Sequence, residues 1–214
     1  MLRVVPFTFN AFGENTYLLI DEATRATAIV DPGMYTRAEQ ETLRAYIERE
    51  QLAVQYILLT HAHIDHVLGN AYALRQYPGT PLLLHAQDWP TLRAVGSYAG
   101  PYGFAQYEPT EPTGELTPGQ VLELGESRLE VRFAPGHAPG HVVLYDRAGS
   151  QVIGGDVLFR GSIGRTDLPG GDHATLLQSI ARELLTLPDA TVVYPGHGPA
   201  TTVGEERRSN PFLR

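Results

Sequence analysis

The sequence predicts a mixed α/β fold, on three observations. Short apolar runs of strand length recur with turn residues between them, helical patterns lie between some of those runs, and clusters of histidine and aspartate come directly after strands. At 214 residues and 43% apolar content, the chain has the size of one compact domain with a real core, so a single domain over residues 1–214 is expected.

The expected strands are Asn15 to Ile20, Ala26 to Val30, Val54 to Leu59, Pro81 to Leu84, Leu129 to Phe133, Val142 to Tyr145, Gln151 to Gly154 and Thr191 to Tyr194. The clearest helix starts at Thr36, where Glu39 completes a capping box and Leu43, Tyr46 and Ile47 make one apolar face. A second helix is expected over Val67 to Gln76 and a third after Trp89. A fourth runs from Asp172, a residue suited to an N-cap, to Leu187, with Leu176, Leu177, Ile180, Leu184 and Leu185 at core spacing. Gly96 to Gly119 is the one long irregular stretch, rich in glycine, proline and aromatics, and is a candidate lid or substrate wall.

A net charge of -8 with no run of lysine or arginine gives no support to a nucleic-acid groove or an anionic membrane surface. The absence of cysteine rules out disulfides, cysteine-ligated zinc, iron–sulfur clusters and a thiol nucleophile. No segment reads as a secretory signal or a membrane span, and a cytoplasmic location is expected.

Six of the eight histidines fall in three clusters, each following an expected strand. Val54 to Leu59 leads into Thr60-His61-Ala62-His63-Ile64-Asp65-His66, Leu129 to Phe133 into Pro135-Gly136-His137-Ala138-Pro139-Gly140-His141, and Thr191 to Tyr194 into Pro195-Gly196-His197. A fourth strand delivers Asp156. Strand ends of one sheet system lie together, so these side chains can converge on one cavity. Residues i and i+2 of an extended segment point the same way, so His61 and His63 can grip one ion, and the following turn sends Asp65 and His66 toward a second. Four ionisable groups in six residues gain little from packing and cost much to bury unpaired, which makes this a metal motif. His141 is read as support for its neighbours, and His85 and His173, outside any cluster, as structural.

These motifs, together with Ile29-Val30-Asp31-Pro32-Gly33 and the glycine-rich Gly161 to Gly171, resemble the metallo-β-lactamase superfamily, in its short bacterial glyoxalase II-like branch. The resemblance implies an αββα sandwich with a bimetal site along one edge. It implies His61, His63 and His137 on one metal, Asp65, His66 and His197 on the other, and Asp156 bridging. Two divalent ions are implied, zinc first, with iron and manganese open. The implied activity is hydrolysis of a thioester, S-lactoylglutathione or a related hydroxyacyl thioester, by a metal-bridging hydroxide, with Asp65, His66 and Asp156 as catalytic residues. Arg165 matches in position a basic residue that holds glutathione, and is the expected substrate-binding residue. The expected partner is a small molecule, with neither nucleic acid nor membrane. The alternatives are a persulfide dioxygenase with a single iron on His61, His137 and Asp156, a lactonase or other small-ester hydrolase, and a metal-binding module without catalysis.

Overall fold

The computed structural model describes residues 1–214. The first sheet is built from β1 (Leu2–Phe9), β2 (Glu14–Asp21), β3 (Ala26–Val30), β4 (Ala53–Leu58), β5 (Leu82–Leu84) and β6 (Gly114–Glu115), side by side in that order. The first three strands pair antiparallel, and β3 to β6 pair parallel. The second sheet takes β7 (Val121–Leu124), β8 (Ser127–Phe133), β9 (Val142–Asp146) and β10 (Gln151–Gly155). A two-stranded ribbon, β11 (Leu158–Phe159) with β12 (Ser162–Ile163), interrupts the chain before β13 (Val192–Pro195) and β14 (Thr201–Thr202) complete that sheet in the order β14-β13-β10-β9-β8-β7.

Alternation along the strands sorts the core into layers. Leu19, Ala28, Val30 and Leu58 face Leu124, Val131, Leu144 and Ile153 between the sheets. The opposite faces of the same strands carry Leu18, Ile20, Ile29 and Ile57 into a second layer, shared with helices α1 (Arg37–Arg49), α2 (Ile64–Val67), α3 (Asn70–Gln76) and α4 (Trp89–Tyr98). On the far side, Val143, Val152 and Val193 meet Leu176 of α5 (His173–Ser179) and Val203 of α6 (Val203–Ser209). Helices therefore cover both outer sheet faces, the αββα sandwich that the resemblance implies. No helix is long and apolar enough to cross a membrane.

Thr36 and Glu39 form the expected capping box, and the Asp172 side chain accepts from the Thr175 N–H as the N-cap of α5. The expected helix over Val67 to Gln76 is instead two pieces. Gly69 separates them: its N–H donates to Pro32 O at 2.7 Å, and a Cβ there would collide with Met34. The expected helix from Asp172 to Leu187 widens into a π-helical turn over Ile180–Leu184. The stretch from Gly96 to Gly119 is partly regular, since α4 runs to Tyr98 and β6 lies within it.

The sheets are tied away from the site by Asp21, at the end of β2. Its carboxylate accepts from Ser127 Oγ at 2.6 Å, Thr24 Oγ1 at 2.8 Å and the Thr24 N–H at 2.9 Å. Burial pulls its pKa up, but these bonds outweigh it and bring it down to about 2. A carboxylate with a depressed folded-state pKa contributes stability that is present above its unfolded value near ~3.9 and is lost as pH falls through the folded value. Asp21→Asn is expected to cost about 1.5–3 kcal/mol in urea unfolding at neutral pH. The gap to wild type should close as the pH is lowered toward about 2; a gap independent of pH contradicts this account.

Candidate metal centre

Strand direction brings the site together. Asp31, Thr60 with His61, and the turn carrying Asp88 follow the C-terminal ends of the parallel strands β3, β4 and β5, while His137, Asp156 and His197 follow β8, β10 and β13 of the other sheet. The sheets are stitched here by the Val142 N–H donating to Thr60 O at 2.9 Å and the Asn15 N–H donating to Gly196 O at 2.7 Å. Asn15 Nδ2 also donates to Pro195 O at 3.1 Å and Gly198 O at 2.8 Å, and the Tyr17 hydroxyl to Pro195 O at 2.7 Å. β2 thus holds the loop bearing His197.

All seven residues singled out from the sequence as metal ligands meet at this edge. His61, His63 and His137 form one group and Asp65, His66 and His197 another, the donor atoms of each lying within 4.8 Å of one another. Asp156 stands between them, with Oδ2 3.5 Å from His137 Nε2 and 3.6 Å from His197 Nε2, and Oδ1 3.5 Å from His66 Nε2. A further grouping of Asp31, His61 and His66 arises because Asp31 supports both rings.

The rings are aimed by their outward nitrogens. His66 Nδ1–H donates to Asp31 Oδ2 at 3.1 Å, and His137 Nδ1–H donates to the Arg165 carbonyl at 2.8 Å. His61 Nδ1 lies 3.0 Å from Thr60 Oγ1, which donates onward to Asp31 Oδ2 at 2.6 Å. Fixing one ring nitrogen as the donor leaves Nε2 with its lone pair toward the centre, the usual arrangement behind a metal-ligating histidine. His141, buried and stacked on His61 at 4.7 Å, accepts the Asp156 N–H through Nε2 at 3.0 Å. It supports the central carboxylate, as expected from the sequence.

The electrostatics favour a cation at the centre. Burial and the neighbouring rings push the His61 pKa well down, and burial with His137 pulls His63 down to about 3, so both are neutral donors. Burial opposes charge on His66, yet Asp65 and Asp156 outweigh it and push its pKa well up. Asp156 is held far below the carboxylate range: burial works against this, but the charge of His66, with His137 and His197 beside it, prevails. A divalent cation answers the same concentrated negative charge.

Three buried carboxyl groups around the centre were missed as functional residues by sequence reasoning. Asp31 was visible only as part of the Ile29-Val30-Asp31-Pro32-Gly33 resemblance, although its position after a strand beside the metal motif is a usable signal. Glu14 lies wholly buried with Oε1 4.0 Å from His66 Nδ1, its pKa raised well above the carboxylate range by burial. Asp88 is the third, joining two loops through their backbone amides, which have no spacing signature. His85 stacks on Phe133 and His173 opens α5, both apart from the centre as expected.

Arg165, the residue expected to bind substrate, has an exposed guanidinium that pairs with a neighbour in its own loop. Its guanidinium is bidentate to Asp167 at 2.7 and 2.8 Å, and its backbone carbonyl is the group that orients His137. Across the opening, Asn10 Nδ2 donates to the Asp65 carbonyl at 3.0 Å and anchors the hairpin whose tip carries Phe12. Phe12 packs 6.4 Å from Tyr102 of the irregular stretch, and both rings are exposed.

The residues present fit a pair of divalent ions. His66 Nε2 and Asp156 Oδ1 are buried polar atoms without hydrogen-bond partners, pointed at each other across the centre. Imidazole nitrogen with carboxylate oxygen is the donor set of borderline divalent metals such as zinc and iron.

An αββα sandwich with a three-histidine cluster and an aspartate–histidine cluster at one sheet edge defines a class of metal-dependent hydrolases. A profile of the metallo-beta-lactamase superfamily matches residues 10–197, and the chain belongs to that superfamily. It is 38% identical to hydroxyacylglutathione hydrolase GloC of Haemophilus influenzae, over 99% of this chain and 97% of that one. Among solved structures it is similar to TTHA1623 in a di-iron-bound form, with a TM-score of 0.87, 41% identity, and 98% and 100% of the two chains covered. The BLEG-1 B3 metallo-beta-lactamase gives a TM-score of 0.87 at 36% identity, covering 99% of each chain.

Gly196 has no room for a side chain, because a Cβ would run into Asp156 Oδ1 and crowd His66 Cε1. Gly196→Ala is expected to displace the central carboxylate and weaken metal binding about tenfold or more. The rise in melting temperature on adding zinc, large for wild type, should be mostly lost in the variant. A wild-type zinc response in Gly196→Ala contradicts the placement of Asp156.

Proposed function

We propose that the protein is a bimetal hydrolase of thioesters, acting on S-lactoylglutathione or a related hydroxyacyl thioester. The observation that carries this reading is the pair of three-residue clusters with the Asp156 carboxylate between them. Two divalent ions bound there supply an acidified water, active as a nucleophile near neutral pH, and a Lewis acid for the substrate carbonyl. His61, His63 and His137 would hold one ion and Asp65, His66 and His197 the other, with the Asp156 carboxylate between the two groups available to both. Neither a serine nor a cysteine nucleophile is then required.

The residues divide the remaining work. Asp65, anchored through its backbone by Asn10 and 3.1 Å from His197 Nε2, presents a carboxylate that accepts a hydrogen bond from the attacking water and orients it. Asp31 holds the His66 ring, whose Nε2 lies 3.6 Å from Asp65 Oδ2. Phe12 and Tyr102 offer an apolar wall to the acyl or thiol arm, and Arg165, more than half exposed, meets a substrate carboxylate by releasing Asp167.

The leaving group favours a thioester. An alkyl thiolate, with a thiol pKa near ~8.5, departs with little proton assistance, whereas an amine needs a proton donor. The 38% identical relative named as a hydroxyacylglutathione hydrolase supports the same choice. The likeness to BLEG-1 makes a β-lactam the competing substrate.

The test is a side-by-side assay of zinc- and iron-loaded protein on S-lactoylglutathione, a chromogenic β-lactam and glutathione persulfide. Thiol release from the thioester is expected to give the highest kcat/KM, and Asp65→Asn to lower it about 10²–10⁴-fold. Oxygen uptake with the persulfide, or β-lactam opening that outpaces thiol release, overturns the proposal.

A further inference from the structure

Asp88 closes the short 3₁₀ turn after β5 and is wholly shielded from solvent. It forms no ion pair. Its two carboxylate oxygens are spent on two backbone amides: Oδ2 accepts the Ala62 N–H at 2.9 Å and Oδ1 accepts the Gly140 N–H at 2.8 Å. Ala62 lies between His61 and His63, and Gly140 lies in the turn that runs from His137 to His141. One side chain in the turn after β5 therefore grips both loops that carry the three histidines of one cluster, although those loops leave different sheets. Gly140 permits this approach, since a Cβ there would stand 2.6 Å from the Asp88 backbone nitrogen.

We propose that Asp88 is a positioning residue that presets the spacing of His61 and His63 against His137, and so governs metal retention at that cluster rather than at the cluster of Asp65, His66 and His197. The inference rests on the reading that these histidines share a metal. A buried carboxylate costs free energy unless its oxygens are satisfied, and two charged hydrogen bonds to amides of separate loops satisfy it only when both loops are in place. The coupling is therefore mutual: the loops hold Asp88 and Asp88 holds the loops. An asparagine cannot substitute, because its single carbonyl serves one amide while its NH₂ confronts the other N–H. Asp31 acts on different groups, binding His66 directly and reaching His61 through Thr60, so its loss reaches both clusters.

Two measurements test this, and neither depends on turnover, so failure of the hydrolytic reading and failure of the clamp are distinguishable. The first counts metal by mass spectrometry on zinc-loaded wild type, Asp88→Asn and Asp31→Asn after dialysis against a graded chelator. Wild type is expected to keep two equivalents. Asp88→Asn should release one at about 10- to 100-fold lower chelator strength while the other stays as in wild type, and Asp31→Asn should weaken both. Parallel loss of both metals from Asp88→Asn, or wild-type retention of both, overturns the proposal.

The second measurement needs no variant. Amide hydrogen exchange is followed at Ala62 and Gly140 in wild-type protein with and without metal. Both amides should stay protected after the metal is removed, because the carboxylate holds them. Free exchange of either amide in the metal-free protein would mean that metal, not Asp88, orders the loops.

Discussion

Burying several imidazoles and carboxylates with their donor atoms aimed at one another is costly, and the sheet edge is organised around making that arrangement hold. His61, His66, His141 and Asp156 are buried there, with His66 Nε2 and an Asp156 oxygen left without hydrogen-bond partners. Such an arrangement survives only if each ring is fixed from behind and if the facing lone pairs meet a cation. The first requirement is met by Asp31, Thr60 and the Arg165 carbonyl, each of which takes the outward side of a ring. The second is what makes the site a metal centre rather than a polar flaw in the core.

The same constraint explains how the two sheets are joined. The candidate ligands come from both sheets, so a shift of one sheet against the other would separate the clusters. Backbone bonds from Val142 to Thr60 and from Asn15 to Gly196 set that relation where the ligands stand, with Asn15 and Tyr17 adding side-chain bonds to the Pro195 to Gly198 loop. Farther away the inter-sheet layer of Leu19, Leu58, Leu144 and Ile153 does the same by packing. Precision at the site comes from hydrogen bonds with direction, and the apolar layer supplies the overall stability.

Much of this was legible in the sequence because the signals were local. His61 and His63 share a direction through strand periodicity, and the short apolar runs mark eight of the strands within a residue or two. What escaped depends on contacts between distant residues. The break at Gly69 is set by Met34 and Pro32, and the two-residue strands β6, β11, β12 and β14 are too short to carry a period. β1 alternates on a partly exposed sheet edge and reads as scattered apolar residues, while α6 was overlooked despite the Thr202 to Glu205 capping signal at its start. Arg165 shows the other limit: its side chain was singled out by position, but the contact of its carbonyl with His137, which any residue could supply, leaves no mark in the sequence.

The central claim, two metal clusters sharing Asp156, is tested most directly by anomalous diffraction from crystals of the zinc-loaded protein. Two peaks about 3.5–4 Å apart are expected. One should lie at bonding distance, ~2.0–2.2 Å, from His61, His63 and His137 and the other from Asp65, His66 and His197, with Asp156 reaching both. A single peak, or a peak seated on the Asp31, His61 and His66 grouping, would contradict it.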